Sequence, residues 1–367
     1  MKLKKIAAAV MAAALIFSAA GNVDAATRSE LAGIRVTTAK DFRYWNHNSP
    51  TLKALTNYVE DVTNPKSRNF IPVEDRIAVF DLDGTLVCET SPSYFEWMLY
   101  LERALNDPTY QATPGIREYA LKVKKYIDEV GIPNPIPGAT EKLPADIDVN
   151  EASDQATVFV GMTLPEYDAY VQKFMETPAE GFSNLKRGEA FYLPMVEVVS
   201  YLEANKFKNF LVSGTDRQTL RVLTRDVLPI ESDNIIGTDI CNLASHQEGN
   251  DGLAYVYAKD DDVIRGGLVL KNIKMNKVSK IAREIGKQPV LSFGNSSGDT
   301  SMLNYCLSKN KYKSLSFALL CDDTEREFGS MTKADKMLDS CKKYGWIPVS
   351  MKNDFKTIYG ENVKPIK

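Results

Sequence analysis

The segment RIAVFDLDGTLV, residues 76–87, constrains the fold more than any other part of the chain. Four apolar residues, 77–80, lead directly into Asp81, Asp83 and Gly84. A short apolar run that stops at turn-forming residues is typical of a central strand in a parallel sheet. Two interpretations of its acidic end are open. One is an Asp-Gly hairpin turn, and the other is a metal and phosphate site at the carboxyl edge of an α/β sheet.

From about residue 193 onward, predicted strands alternate with predicted helices. The segments KNFLVSG, QPVLSFG and SLSFALLC have the apolar character of buried strands, and amphipathic stretches separate them. This alternation predicts an α/β fold built on a doubly wound parallel sheet. Within residues 252–270, two apolar runs flank an acidic turn, which predicts a β-hairpin.

Three further polar groups follow predicted strands or open predicted helices. NFLVSGT ends in Ser213, Gly214 and Thr215 just before a helix, where backbone amides and the helix dipole favour an anion. Thr215 or Asp216 is a plausible cap of that helix. Lys277 opens a helix and could offset phosphate charge. Asp299 closes the glycine-rich loop GNSSGD and could complete an oxygen cage for a divalent cation. Each also has an ordinary structural interpretation, as a helix cap or a solvated surface charge.

In this order, DLDGT, LVSGT, Lys277 and GNSSGD resemble the four motifs of the haloacid dehalogenase-like (HAD) superfamily. The resemblance implies a Rossmann-like core in which Asp81 is the nucleophile that forms an aspartyl-phosphate. It makes Asp83 the general acid and base. Members that act on carbon–halogen bonds generally lack this second acid, so Asp83 favours a phosphate substrate.

The same resemblance implies a ligand set for the phosphoryl group and a metal. Ser213, the Gly214 amide and Lys277 would hold the phosphoryl oxygens. Mg²⁺ would be held by Asp81, Asp299 and the backbone carbonyl of Asp83. Many members carry an acid where this chain has Asn295, which we expect to hold a metal-bound water or to lie behind the ligands.

Four regions are predicted along the chain. They are a signal peptide at 1–25, an N-terminal arm at 26–72, a core at 73–88 plus 191–367, and a mostly helical cap inserted at 89–190. A helical insert at this point resembles the type 1 cap of the phosphoserine phosphatase-like branch. In that branch, a glutamate shortly after the first motif contacts the substrate. Glu89 is the candidate for this role, although it stands one residue closer to the first motif than the glutamate of that branch.

A cluster of aromatic residues in the predicted cap has two interpretations. It could form a cage for a quaternary amine such as phosphocholine, or it could be ordinary core packing. The cluster consists of Tyr94, Phe95, Trp97 and Tyr100.

The N-terminus predicts export. A basic start, an apolar run at about residues 6–20 and small residues at Ala25 and Ala26 fit a secretory signal peptide cleaved after either alanine. The expected location is the periplasm or the exterior, without stable membrane insertion once the signal is removed. The five cysteines have no zinc-site spacing, and their odd number leaves at least one thiol unpaired.

The function predicted from these features is an exported, Mg²⁺-dependent phosphomonoester hydrolase acting on a small phosphorylated substrate. A net charge of −3 gives no basic excess for nucleic acid. A phosphotransferase of the same fold, a catalytically inactive protein that binds a phosphorylated ligand, and a protein whose motifs are accidental remain as alternatives. The oligomeric state is left open.

Overall fold

The computed structural model describes residues 25–131 and 135–366. The predicted signal peptide, apart from its last residue, therefore lies outside the described residues. Within the described ranges, no helix combines the length and apolar character needed to cross a bilayer.

Seven strands form one mixed sheet in the order β4-β3-β2-β1-β5-β6-β7. All neighbouring strands are parallel except β3 and β4, which are antiparallel. The strands are β1 Ile77–Phe80, β2 Lys208–Asp216, β3 Ile235–Ala244, β4 Val263–Leu270, β5 Leu291–Gly294, β6 Leu315–Leu320 and β7 Ile347–Ser350. The predicted α/β class is confirmed, and the strand that ends in Asp81 and Asp83 lies at the centre of the sheet.

Twelve α-helices accompany the strands in the described part of the chain. They are α1 Arg28–Ala32, α2 Pro50–Thr63, α3 Phe95–Leu101, α4 Pro114–Glu129, α5 Ile147–Val158, α6 Leu164–Met175, α7 Leu193–Ala204, α8 Arg217–Thr224, α9 Met275–Lys280, α10 Thr300–Leu307, α11 Met331–Tyr344 and α12 Met351–Asp354. Helices α3–α6 lie between β1 and β2, in the region that the sequence assigns to the cap.

Both faces of β1 are buried, which explains its continuous apolar character. Ile77 and Val79 pack in one cluster, whereas Phe80 packs on the opposite face. There the Phe80 ring stacks on Phe293, whose ring stacks in turn on Phe317 at 5.0 Å between centroids. Alternate residues of one strand thus serve two cores, as expected when helices cover both faces of a parallel sheet.

The hairpin predicted within residues 252–270 is wrong. Only its second half is a strand, β4, and this strand pairs with β3 instead. The first half is a loop that Asp261 organises: its carboxylate accepts hydrogen bonds from the amides of His246 (3.0 Å) and Ala258 (2.7 Å) and from the Tyr255 hydroxyl (2.9 Å). An aspartate that binds nearby backbone amides competes with strand pairing, and period-2 patterning does not reveal this.

The β3–β4 hairpin attaches the helical insert to the core. The Arg265 amide donates to the Met162 carbonyl at 2.8 Å, and Gly161 donates to the Arg265 carbonyl at 2.8 Å. The guanidinium of Arg265 donates to Asp216 at 2.7 Å and lies over the ring of Tyr167. Asp216 in turn caps α8. This network fixes α5 and α6 relative to the edge of the sheet where β2 ends.

The N-terminal arm is fastened to α7 by one buried carboxylate. Glu197 is 1% exposed, and it accepts hydrogen bonds from the amides of Arg43 (2.7 Å) and Tyr44 (3.1 Å). The adjacent Trp45 indole donates to the Pro194 carbonyl at 2.7 Å. The arm therefore packs as part of the core.

We expect Glu197→Ala to lower the free energy of unfolding by about 2–3 kcal/mol, because two amides lose their acceptor. Urea unfolding measures this change, and limited proteolysis should show faster cleavage in the arm. Glu203→Ala, at an exposed position of the same helix, is the control. Equal stabilities of the two variants would contradict this role of Glu197.

Candidate active site

A cavity of about 230 Å³ opens at the carboxyl ends of β1, β2 and β5, where the helical insert faces the sheet. The residues that line it include all the sequence-predicted site residues. The lining comprises Asp81, Asp83, Glu89, Tyr94, Glu96, Trp97, Asp148, Glu151, Ser213, Gly214, Thr215, Lys271, Ile273, Lys274, Lys277, Asn295, Ser296, Ser297, Gly298 and Asp299.

A buried cluster of one ammonium group and two carboxylates forms the floor of the cavity. Lys277 Nζ donates to Asp81 Oδ1 and to Asp299 Oδ1, at 2.6 Å in each case. Burial opposes protonation of Lys277, but Asp299 and Asp81 outweigh it and raise its pKa. Burial, followed by the charge of Asp299, raises the pKa of Asp81 to about 8 despite Lys277. The floor is therefore short of positive charge.

Asp299 is held in place by the loop that precedes it. Its Oδ2 accepts from the amide of Asn295 at 3.1 Å and from the amide and hydroxyl of Ser296, each at 3.0 Å. Its side chain thus turns back toward the end of β5, and the described chain shows no side-chain cap from Asp299 to α10. Gly294 lets Asp299 approach, because a Cβ there would lie 2.7 Å from Asp299 Cβ and 2.8 Å from its carboxylate carbon.

Asp83 is oriented by a hydroxyl from the second motif. Thr215 Oγ1 donates to Asp83 Oδ2 at 2.8 Å, while Asp83 Oδ1 is buried without a partner among the described residues. Burial raises the pKa of Asp83 to about 7, although the Thr215 bond opposes the shift. A carboxyl group with a pKa near neutrality can both give and take a proton. The sequence offered Thr215 only as a possible helix cap, a role that Asp216 fills.

Ser213 and Gly214 were expected to end the strand at the start of a helix, but β2 continues through them to Asp216, whose carboxylate caps α8. This part of β2 is braced by side chains from neighbouring segments. Asn272 Nδ2 donates to the Ser213 carbonyl at 3.0 Å, and Thr238 Oγ1 donates to the Gly214 carbonyl at 2.5 Å. With these carbonyls engaged, this part of β2 presents the Ser213 side chain and Gly214 to the cavity. A hydroxyl group can donate a hydrogen bond to an anion there.

Glu89 and Asn295 bind each other at the rim of the floor. Asn295 Nδ2 donates to Glu89 Oε2 at 3.0 Å, and burial raises the pKa of Glu89. Gly84 permits this pairing, because it has φ +71° and a Cβ there would lie 1.9 Å from Asn295 Nδ2. An acid in place of Asn295 would face Glu89 with like charge, which is a physical reason for the amide.

The donor set of the floor fits a hard divalent cation. In the described chain, no three His, Cys, Asp or Glu side chains converge as a metal site. However, Mg²⁺ is commonly bound by one or two carboxylates, with water and phosphate completing its shell. Asp81 and Asp299 supply two carboxylates that already converge on a cation, and Asp83 has a buried oxygen without a partner.

The upper wall carries a charged cluster that sequence reasoning missed. Lys271, just after β4, pairs with Glu96 of α3 at 3.1 Å and lies 3.5 Å from Glu151 of α5. Burial raises the pKa of Glu96 and that of Glu151, the latter to about 8. The three residues come from separate segments with no motif, so only the fold brings them together.

The aromatic cage is not formed by all four candidates. Tyr94 and Trp97 line the cavity with their rings 5.0 Å apart. Phe95 instead packs edge-on against Phe174, and the Tyr100 hydroxyl is bonded to Ile116 and Asp154. Two of the four aromatic residues therefore have the ordinary core role.

All five cysteines are free thiols in the described structure. Cys88, close to the first motif, is buried, and burial raises the pKa of its thiol. This environment suits packing and does not activate a nucleophile.

No family model and no curated protein matches the chain. Three solved structures show the following similarity. A conserved protein of unknown function from Anaerococcus prevotii DSM 20548 is 14% identical, with 83% of this chain and 94% of that chain covered and a TM-score of 0.48. Cytosolic 5′-nucleotidase IIIB bound to cytidine is 12% identical, with 82% and 86% covered and a TM-score of 0.45. A phosphoserine phosphohydrolase-like protein from Francisella tularensis subsp. tularensis SCHU S4 is 14% identical, with 67% and 87% covered and a TM-score of 0.36.

At these identities and TM-scores, none of the three structures assigns an activity to this chain. The proposed activity therefore rests on the residues that line the cavity of this chain.

Proposed function

We propose that this protein is an Mg²⁺-dependent phosphomonoester hydrolase of the HAD type that works through an aspartyl-phosphate on Asp81. One observation carries the proposal. Asp81, whose carboxylate pairs with the buried Lys277, stands two residues before Asp83, whose carboxyl group accepts a hydrogen bond from a hydroxyl. Both line one cavity with Ser213 and Gly214 of β2. A nucleophile, a proton donor and an anion site are what phosphoryl transfer to a carboxylate needs.

In the first step, an Asp81 oxygen attacks phosphorus and the bond to the leaving alcohol breaks. Asp83 gives its proton to the departing oxygen. In the second step, Asp83 takes a proton from water, the water oxygen attacks phosphorus, and the bond to Asp81 breaks. Ser213, the Gly214 amide and Lys277 hold the phosphoryl oxygens through both steps.

The carboxylates of Asp81 and Asp299 and the backbone carbonyl of Asp83 would hold Mg²⁺. When bound, the ion supplies positive charge that offsets the phosphoryl oxygens and the two carboxylates. Asn295 is engaged by Glu89, so we assign it to positioning rather than to direct metal binding.

The test is phosphate release by the chain from residue 26 with p-nitrophenyl phosphate, phosphoserine, phosphocholine, sugar phosphates and nucleotides. We expect turnover with Mg²⁺ and none with EDTA. Added glycerol distinguishes a hydrolase from a phosphotransferase, because a transferase would form glycerol phosphate in place of free phosphate. A folded chain that binds these compounds but releases phosphate from none would contradict the proposal and favour the inactive binding protein.

Thr215 gives a prediction for the role of Asp83. We expect Thr215→Val to lower kcat about ten- to a hundredfold with a smaller change in KM, because Asp83 loses the hydrogen bond that orients it. Thr215→Ser keeps the hydroxyl and should recover most of kcat. Steady-state kinetics measures both variants. If the Val and Ser variants are equally active, the hydroxyl does not orient Asp83.

Export is part of the proposal and is supported by the N-terminal sequence alone. The basic start, the apolar run and Ala25 fit a signal peptide. Cell fractionation and the intact mass of the recovered chain test it. A mature chain that begins at residue 26 or 27 outside the cytoplasm is expected, and a full-length chain in the cytoplasm would contradict it.

A further inference from the structure

The upper wall of the cavity is rich in carboxylates. It carries three acids, Glu96, Asp148 and Glu151, and two lysines, Lys271 and Lys274. A leaving group bound in the cavity would face this wall, whose acids outnumber its cations.

Glu151 is the buried acid of this wall whose carboxylate lacks hydrogen bonds among the described residues. It is 0% exposed, and neither of its carboxylate oxygens has a hydrogen-bond partner among the described residues. The nearest cation, Lys271 Nζ, lies 3.5 Å away and is closer to Glu96, at 3.1 Å. Lys271 therefore forms a longer ion pair with Glu151, whose two oxygens have no hydrogen-bond donor among the described residues.

The neighbouring Glu96 is already engaged at both oxygens. Its Oε1 accepts from the Asp216 amide at 2.6 Å, and its Oε2 accepts from Lys271. A buried carboxylate without donors is costly, and such groups usually have a partner in the functional state. Glu151 is thus the acceptor on this wall that a bound group can satisfy.

We propose that Glu151 accepts N–H hydrogen bonds from an ammonium group on the leaving alcohol, so that the substrate is the phosphomonoester of a short amino alcohol. This inference rests on the proposed hydrolase function and names its substrate class. A single protonated amine supplies both the hydrogen-bond donors and the positive charge that the wall lacks.

The same wall disfavours three other classes of leaving group. A neutral polyol supplies donors but no charge. An amino acid such as phosphoserine adds a carboxylate that would face Glu96 and Glu151. A quaternary amine has no N–H group, and only half of the aromatic cluster lines the cavity.

The kinetic test compares kcat/KM for phosphoethanolamine with kcat/KM for glycerol 3-phosphate. We expect the wild type to favour phosphoethanolamine, and Glu151→Gln to reduce this preference about tenfold or more, because a charge-assisted hydrogen bond is lost. Asp154→Asn, on the same helix but bonded to Tyr100, should keep the preference. A wild type that prefers glycerol 3-phosphate, or an unchanged preference in Glu151→Gln, would overturn the inference.

A binding test separates this inference from the hydrolase proposal. Calorimetric titration of Asp81→Asn with the same two ligands measures the preference without turnover, and phosphoserine and phosphocholine extend the series. Tighter binding of phosphoethanolamine supports the role of Glu151 even if the wild type releases no phosphate, in which case only the hydrolase proposal fails. Equal affinities would mean that water alone satisfies Glu151, and the inference would be wrong whatever the hydrolysis result.

Discussion

Replacing Asp81 with Asn is expected to lower kcat for p-nitrophenyl phosphate by about 10³-fold or more. An amide cannot attack phosphorus as a carboxylate does, so the covalent route is closed and other groups supply only residual catalysis. The fold should tolerate the change, because Lys277 keeps its bond to Asp299 at 2.6 Å. In addition, the side chains of aspartate and asparagine have the same shape. Steady-state kinetics measures the loss, and circular dichroism with thermal unfolding checks the fold.

Asp75→Asn is the matched control for Asp81→Asn. Asp75 lies two residues before β1 and is bonded to Lys287 and Tyr312, away from the cavity. The control should turn over at the wild-type rate. If Asp81→Asn kept more than about a tenth of the wild-type kcat, Asp81 could not be the nucleophile.

Lys277→Met should lower the free energy of unfolding by about 3–5 kcal/mol. Lys277 is 2% exposed and neutralises two carboxylates, and removing one partner of a buried ion pair leaves uncompensated charge. Urea unfolding in EDTA measures the change. Mg²⁺ should raise the Tm of the variant more than that of the wild type, because the added cation replaces part of the missing charge.

Lys287→Met provides the comparison for this loss. Lys287 pairs with Asp75 at 2.6 Å with its side chain 44% exposed, so its removal should cost less than about 1 kcal/mol. If Lys277→Met were no less stable than Lys287→Met, the buried cluster would not contribute to the fold in the way described.

The core of the fold and the floor of the site were predictable because their signals are local. An apolar run that stops at acids marks β1, and each of the other motifs comes with its own strand end or helix start. The carboxyl ends of parallel strands meet at one edge of a sheet. Asp81, Lys277 and Asp299 could therefore be expected to lie together although they are far apart in the chain.

The upper wall of the cavity could not be predicted in this way. Glu96 and Glu151 lie on helices of the insert, and Lys271 follows a strand that was assigned the wrong partner. Their meeting depends on how β3 and β4 extend toward the insert and bond to it through Arg265. That arrangement is set by tertiary contacts, for which this sequence carries no periodic signal.

Asn295 lies between these two cases. The sequence already showed an amide at this position, where many proteins with these motifs have an acid, but it did not show the reason. Only the structure shows that Glu89 occupies the space facing Asn295, so that an amide forms a hydrogen bond where an acid would be repelled.

The most direct test of the account is to find where the phosphoryl group goes. The chain would be mixed with p-nitrophenyl phosphate and Mg²⁺, quenched in acid during turnover, digested and analysed by mass spectrometry, with Asp81→Asn treated in parallel. We predict a phosphoryl group on Asp81 in the peptide that contains β1, and none in the variant. A phosphoryl group on a different residue, or wild-type phosphate release by Asp81→Asn, would contradict the account.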